Sequence, residues 1–113
     1  MKISTRTVDS VTVLDLQGRL ALGEDTEQFR TEIRELLQSG TKKILLNMGK
    51  VGYIDSSGVG ELVRAYASIT TQGGQLKLLS LTKRLHDLLT VTKLLTVFEA
   101  HDDEQRAIQS FRG

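Results

Sequence analysis

Apolar and polar positions change their period several times along the chain, and each change marks an element. Ile3, Thr5 and Thr7 alternate with Lys2, Ser4 and Arg6, and after Asp9-Ser10 a β-rich run carries Val11, Val13 and Leu16. Alternation of period two is the strand signature, and two strands joined by so short a turn are antiparallel. Gly18 is expected to end the second. From about Asp25 to Ser39 the apolar positions are Phe29, Ile33, Leu36 and Leu37, the i, i+4, i+7, i+8 stripe of an amphipathic helix. Asp25 and Gln28 have the spacing of a capping box, and Gly40 stands where a glycine ends a helix.

Lys43-Ile44-Leu45-Leu46-Asn47 is a short continuous apolar run, as expected of a strand covered on both faces. A second helix is expected from about Ser57 to Gln72, with Val59, Leu62, Val63, Tyr66 and Thr70 on one face and Glu61, Arg64 and Ser68 on another, stopped by Gly73-Gly74. Leu76-Lys77-Leu78-Leu79 reads as a strand, and Thr82 as the cap of a helix bearing Leu85, Leu88 and Leu89. Val97-Phe98 reads as a last short strand, and Asp102 with Gln105 as the capping box of a final helix that turns Ala107, Ile108 and Phe111 inward. The order ββαβαβαβα implies one α/β domain spanning residues 1–113: a mainly parallel sheet with an antiparallel edge hairpin and helices packed against it.

Composition narrows the chemistry. A chain of 113 residues without Cys has no disulfide, thiolate zinc site, iron–sulfur cluster or cysteine nucleophile. Fifteen Lys and Arg against fourteen Asp and Glu give a net charge of +1, which speaks against a nucleic-acid surface. The two histidines, His86 and His101, leave little material for acid–base or metal chemistry, and neither metal nor cofactor is expected. The polar start and the lack of a long apolar run lead to the expectation of a cytoplasmic protein without membrane insertion. Lys42-Lys43 and Lys83-Arg84 read as solvated ends of elements.

One segment resists a purely structural reading: Val51-Gly52-Tyr53-Ile54-Asp55-Ser56-Ser57-Gly58-Val59-Gly60-Glu61-Leu62. It leads from a strand into a helix N-terminus, the end of an α/β unit where ligands and partners sit. Ser57 or Ser56 could simply be the N-cap. That leaves Gly58 and Gly60 unexplained, because each costs roughly 1 kcal/mol against Ala in a helix, whereas small residues let a partner approach the backbone closely. Catalytic motifs fail on these residues. A nucleophile elbow needs Gly where Asp55 stands, and no P-loop string occurs. A receiver domain would want acids where Gln17-Gly18 and Asn47 stand. No catalytic set is expected, and the chain is read as a binding protein and not an enzyme. Phosphorylation asks only for a serine. At a helix N-terminus a phosphate is tolerated by the fold, and it would bring about −1.5 to −2 charges to a surface carrying Asp55 and Glu61, repelling a docked partner.

Ile54-Asp55-Ser56-Ser57-Gly58-Val59-Gly60 resembles the D-S-[ST]-G-[LV]-G signature of the STAS-domain anti-sigma-factor antagonists. Gly18-Arg19-Leu20, the Gly73-Gly74 turn before Gln75-Leu76-Lys77-Leu78, and Lys83-Arg84-Leu85 extend the resemblance over nearly the whole chain. The resemblance implies a mechanism. The unphosphorylated protein binds an anti-sigma factor, commonly a serine protein kinase, and so releases its sigma factor. The kinase phosphorylates the serine before the motif glycine, here Ser57, with Ser56 the alternative, and a PP2C-type phosphatase resets the protein. Ser57 is then substrate, Asp55 and Ser56 shape the docking loop, and Gly58 and Gly60 permit close contact. The implied partner surface is Asp55, Ser56, Ser57, Gly58, Val59, Gly60 and Glu61. Two positions depart from the pattern: Ala21, where many members carry Asp, and Asn47, which is often Asp. A constitutive STAS scaffold is the alternative, such as a stressosome component or an accessory subunit of a lipid-transport ATPase.

Overall fold

Five strands lie side by side in chain order in the computed structural model, which describes residues 1–111. They are β1 (Lys2–Val8), β2 (Val11–Leu20), β3 (Lys43–Ile54), β4 (Gln75–Leu79) and β5 (Ala100–His101). The helices are α1 (Glu24–Gln38), α2 (Ser56–Thr71), α3 (Lys83–Val91) and α4 (Glu104–Ser110). β1 pairs antiparallel with β2, and every later pair is parallel. Because strand order never reverses, crossovers of one hand put α1, α2 and α3 on the same face of the sheet. There Phe29, Ile33, Val59, Leu62, Ile69, Leu85 and Leu89 close over Leu14, Leu16, Ile44, Leu46, Met48 and Leu78. The other face carries α4, whose Ala107 and Ile108, with Phe111 just beyond, cover Val11, Val13, Leu45 and Leu79. Among the described residues no helix is long and apolar enough to cross a membrane.

Three expectations about the strands need correction. Gly18 does not end the second strand: with φ 111° it sits beside a register shift within β2, a glycine-bearing bulge, and the strand runs on to Leu20. β3 likewise extends past Asn47 to Ile54. β4 pairs only as far as Asn47, so the second half of β3 is held by β2 alone. The β-forming pair Val97-Phe98 is not a strand. Phe98 is a core plug, buried with its ring edge-on to Tyr66 at 5.5 Å, and the ladder to β4 is made by Ala100 and His101.

Two helix caps also shift. α1 is capped at Gly23, in a backbone conformation (φ 111°) that side chains disfavour, and the Thr26 hydroxyl accepts from the Gly23 N–H at 3.2 Å. α4 is capped by Asp103, which accepts from the Arg106 N–H at 2.9 Å. That choice frees Glu104 to pair with Arg6, which also binds Asp15 at 2.7 Å.

The edges of the second face are pinned by carboxylates. Glu99 binds Lys77 at 2.9 Å and His101 at 2.6 Å, which hold its carboxyl down at about 2 from an ordinary 4.5. Asp15 and Glu104 are also held low, in each case chiefly by Arg6. A depressed carboxyl stabilises the fold fully above its unfolded value and ceases to do so once protonated. Stability is therefore expected to hold at neutral pH and to fall between about pH 4.5 and 2. Thermal denaturation across that range checks this, and Glu99→Gln should flatten the fall.

Candidate functional site

β2, β3 and β4 run parallel, so the loops that follow them gather at one end of the sheet. With no reversal in strand order there is no crevice between diverging crossovers at that end. Ile54 and Leu20 pair across the ends of β3 and β2. Asp55 then leaves the sheet in an extended conformation, φ −105° and ψ −177°, and caps α2. Its Oδ1 accepts from the Gly58 N–H at 2.8 Å, and its Oδ2 accepts from the Leu22 N–H at 3.0 Å. These donors, Leu22 first and Gly58 second, hold the carboxyl below its ordinary range. Asp55 therefore ties the β2–α1 loop to the start of α2.

The capping role weighed for Ser57 or Ser56 belongs to Asp55. Ser56 and Ser57 occupy the first two helical positions, Ser56 exposed and Ser57 half-buried. Among the described residues no hydrogen bond engages either hydroxyl.

The two glycines have different reasons. A Cβ on Gly58 would lie 2.2 Å from the Leu20 carbonyl oxygen and 2.7 Å from Ile54 Cγ1. Gly58 is buried, and it lets α2 approach the chain's own sheet; the close contact expected of it is internal. A Cβ on Gly60 would meet nothing within 4 Å, and Gly60 is exposed. Gly60→Ala is therefore expected to raise stability by about 1 kcal/mol, the helix-propensity difference, read as a higher melting temperature.

Val59 faces the core, and Glu61 is buried as well, its side chain only 6% exposed. Glu61 pairs with Arg30 of α1 and lies 3.8 Å from Arg64 one turn on. The acidic surface expected from Asp55 and Glu61 is thus largely absent, because one carboxylate binds main-chain donors and the other is buried against arginine. Of the implied partner segment, Ser56, Ser57 and Gly60 face outward.

The same end of the sheet exposes residues outside that segment. Leu22 is 78% exposed beside Asp55, and Tyr53 is 38% exposed. Arg19 and Arg84 each place a guanidinium over the Tyr53 ring, at 5.4 and 5.3 Å from its centre. The sequence signal was slight: Leu22 is a lone apolar residue in a turn, and Arg19 and Arg84 come from elements far apart in the chain. The two departures from the family pattern are both structural here. Ala21 is buried, and Asn47 donates to Asp15 at 2.8 Å.

A family model described as STAS domain matches residues 2–107. The anti-sigma F factor antagonist of Paenibacillus polymyxa is 25% identical over 99 residues, 87% of this chain and 84% of that protein. The unphosphorylated form of the anti-sigma factor antagonist SpoIIAA superposes with a TM-score of 0.75 at 25% identity, covering 99% of each chain. A Thermotoga maritima crystal structure, a candidate anti-sigma factor antagonist, gives a TM-score of 0.91 at 28% identity over 98% of this chain and 95% of that one.

Proposed function

The chain belongs to the STAS domain family, and on that premise we propose that it is an anti-sigma-factor antagonist, a regulatory binding protein whose own serine is the substrate of its regulator. In its unphosphorylated form it binds an anti-sigma factor with serine kinase activity and so releases a sigma factor. Phosphorylation of Ser57 ends the binding, and a PP2C-type phosphatase restores it. The observation that carries this reading is the state of Ser57: half-buried at the start of α2, its hydroxyl without a hydrogen bond among the described residues, and relieved of the capping task by Asp55. The relatives' names support the partner class, and SpoIIAA is a protein known in an unphosphorylated form.

The physics of the switch follows from that position. A phosphate on the second helical residue meets the positive end of the α2 dipole, which favours negative charge in the first turn. The fold accepts it. A partner surface matched to a neutral hydroxyl does not, because about −1.5 to −2 charges now need solvation or a counter-charge in the interface. With the net charge moving only from +1 to about −0.5 to −1, the effect is local and not long-range.

Incubating the protein with ATP and the anti-sigma kinases of the same genome, then locating phosphate by peptide mass, tests the assignment. Wild type is expected to take one phosphate at Ser57, and Ser57→Ala none. Stoichiometric phosphate on the Ser57→Ala protein at another residue would refute it.

A further inference from the structure

The docking face carries a cationic cluster that the phosphate switch leaves unexplained. Arg19 projects from β2 and Arg84 from the first turn of α3, and both rest on Tyr53. Among the described residues neither guanidinium has a carboxylate partner, unlike Arg6 and Arg30. Two like charges gathered at one ring repel each other, and the ring offsets this only in part. Lys83 and Arg84 also stand in the first turn of α3, which holds no acid, so they oppose the helix dipole. Asp55, the acid nearest in sequence to Tyr53, is committed to the Leu22 and Gly58 N–H groups. Three cations are thus held at this end of the sheet at some cost to the isolated protein.

We propose that the Arg19–Tyr53–Arg84 stack is the anchor by which the docking face grips an acidic segment of its protein partner. The inference rests on the reading of this end of the sheet as the anti-sigma-factor surface and specifies the chemistry of that partner. Tyr and Arg are the residue types that dominate binding energy at protein interfaces, and a guanidinium already stacked on a ring loses little freedom when it pairs with a carboxylate. Exposed Leu22 on the neighbouring loop adds apolar area that a protein covers and a polyanion does not. The net charge of +1 lacks the broad basic field a nucleic acid needs, so acidic side chains are the matching anions.

Two arms test the inference separately from the reading beneath it. In the first, a Glu/Asp-rich peptide of about ten residues is titrated into the protein and followed by the NMR signals of the Tyr53 ring and the arginine Nε–H groups. Saturable shifts are expected there, absent with a control peptide in which Gln and Asn replace Glu and Asp, suppressed by salt and lost in R19A/R84A. Unchanged binding to R19A/R84A, or preferential capture of a single-stranded RNA of equal length, would overturn the proposal. In the second arm, affinity for the anti-sigma factor is expected to fall about 30-fold or more in R19A/R84A. R19K/R84K, which keeps the charge and loses the planar fork, should fall between the two, with melting temperatures checked for each. Equal affinity of R19A/R84A and wild type would overturn the anchor while leaving the proposed function intact. Peptide binding at the stack with no anti-sigma factor bound by wild type would support the anchor and refute the function.

Discussion

Gly58→Ala is expected to be the most damaging single-methyl change in the chain, lowering stability by about 3 kcal/mol, the upper end of the usual cost of overpacking. The added Cβ would stand 2.2 Å from the Leu20 carbonyl oxygen, and that oxygen also accepts from the Asp55 N–H at 3.4 Å. Main chain cannot step aside as a flexible side chain can. To relieve the clash α2 must lift from the end of β2, which loosens both Asp55 contacts and the loop bearing Leu22. A melting temperature lower by roughly 12 °C is the expected reading. The opposite sign expected for Gly60→Ala, two residues along the same helix, makes the pair an internal control. If both substitutions were neutral, the packing account of Gly58 would be wrong.

Ser57→Asp is expected to weaken anti-sigma-factor binding by about 100-fold, a like-charge or desolvation penalty of a few kcal/mol at an interface, while the melting temperature changes by no more than about 2 °C. Ser57→Ala should bind as wild type does. The separation of binding from folding depends on Asp55 holding the cap. Had Ser57 been the cap, either substitution would also have loosened α2. Titration calorimetry with parallel thermal scans distinguishes these cases, and a large fall in melting temperature for Ser57→Asp would mean that the serine is structural.

The element order and the mainly parallel sheet with helices packed against it were legible in the sequence because the patterns that carry them are local. Phe29, Ile33 and Leu36 mark a helix by their spacing alone, and Lys43–Asn47 is a buried strand by its unbroken apolarity. What was not legible depends on contacts between residues distant in the chain. Gly18 and Gly40 look alike in sequence, yet one lies in a bulge and the other ends a helix. Phe98 has strand-like neighbours but is used to fill the core against Tyr66.

The candidate site divides the same way. The serine pair and its place at the mouth of α2 could be read directly. The burial of Glu61 could not, because its partner Arg30 lies 31 positions away. Nor could the use of Asp55 as a tie to Leu22, 33 positions away. Gly58 and Gly60 appeared equivalent until the position of β2 showed that only one of them faces a wall. The outward surface is therefore narrower than the Asp55–Glu61 segment in one respect and broader in another. It loses Gly58, Val59 and Glu61 to the interior, while Leu22 and Tyr53 are exposed beside it.

The central claim is that a phosphate on Ser57 controls docking without disturbing the fold. The most direct measurement follows one preparation through the cycle: affinity for the anti-sigma factor before phosphorylation, after stoichiometric phosphorylation at Ser57, and after treatment with a PP2C-type phosphatase. The account predicts tight, lost and restored binding, with the melting temperature preserved throughout. Undiminished affinity of the phosphorylated form would contradict it.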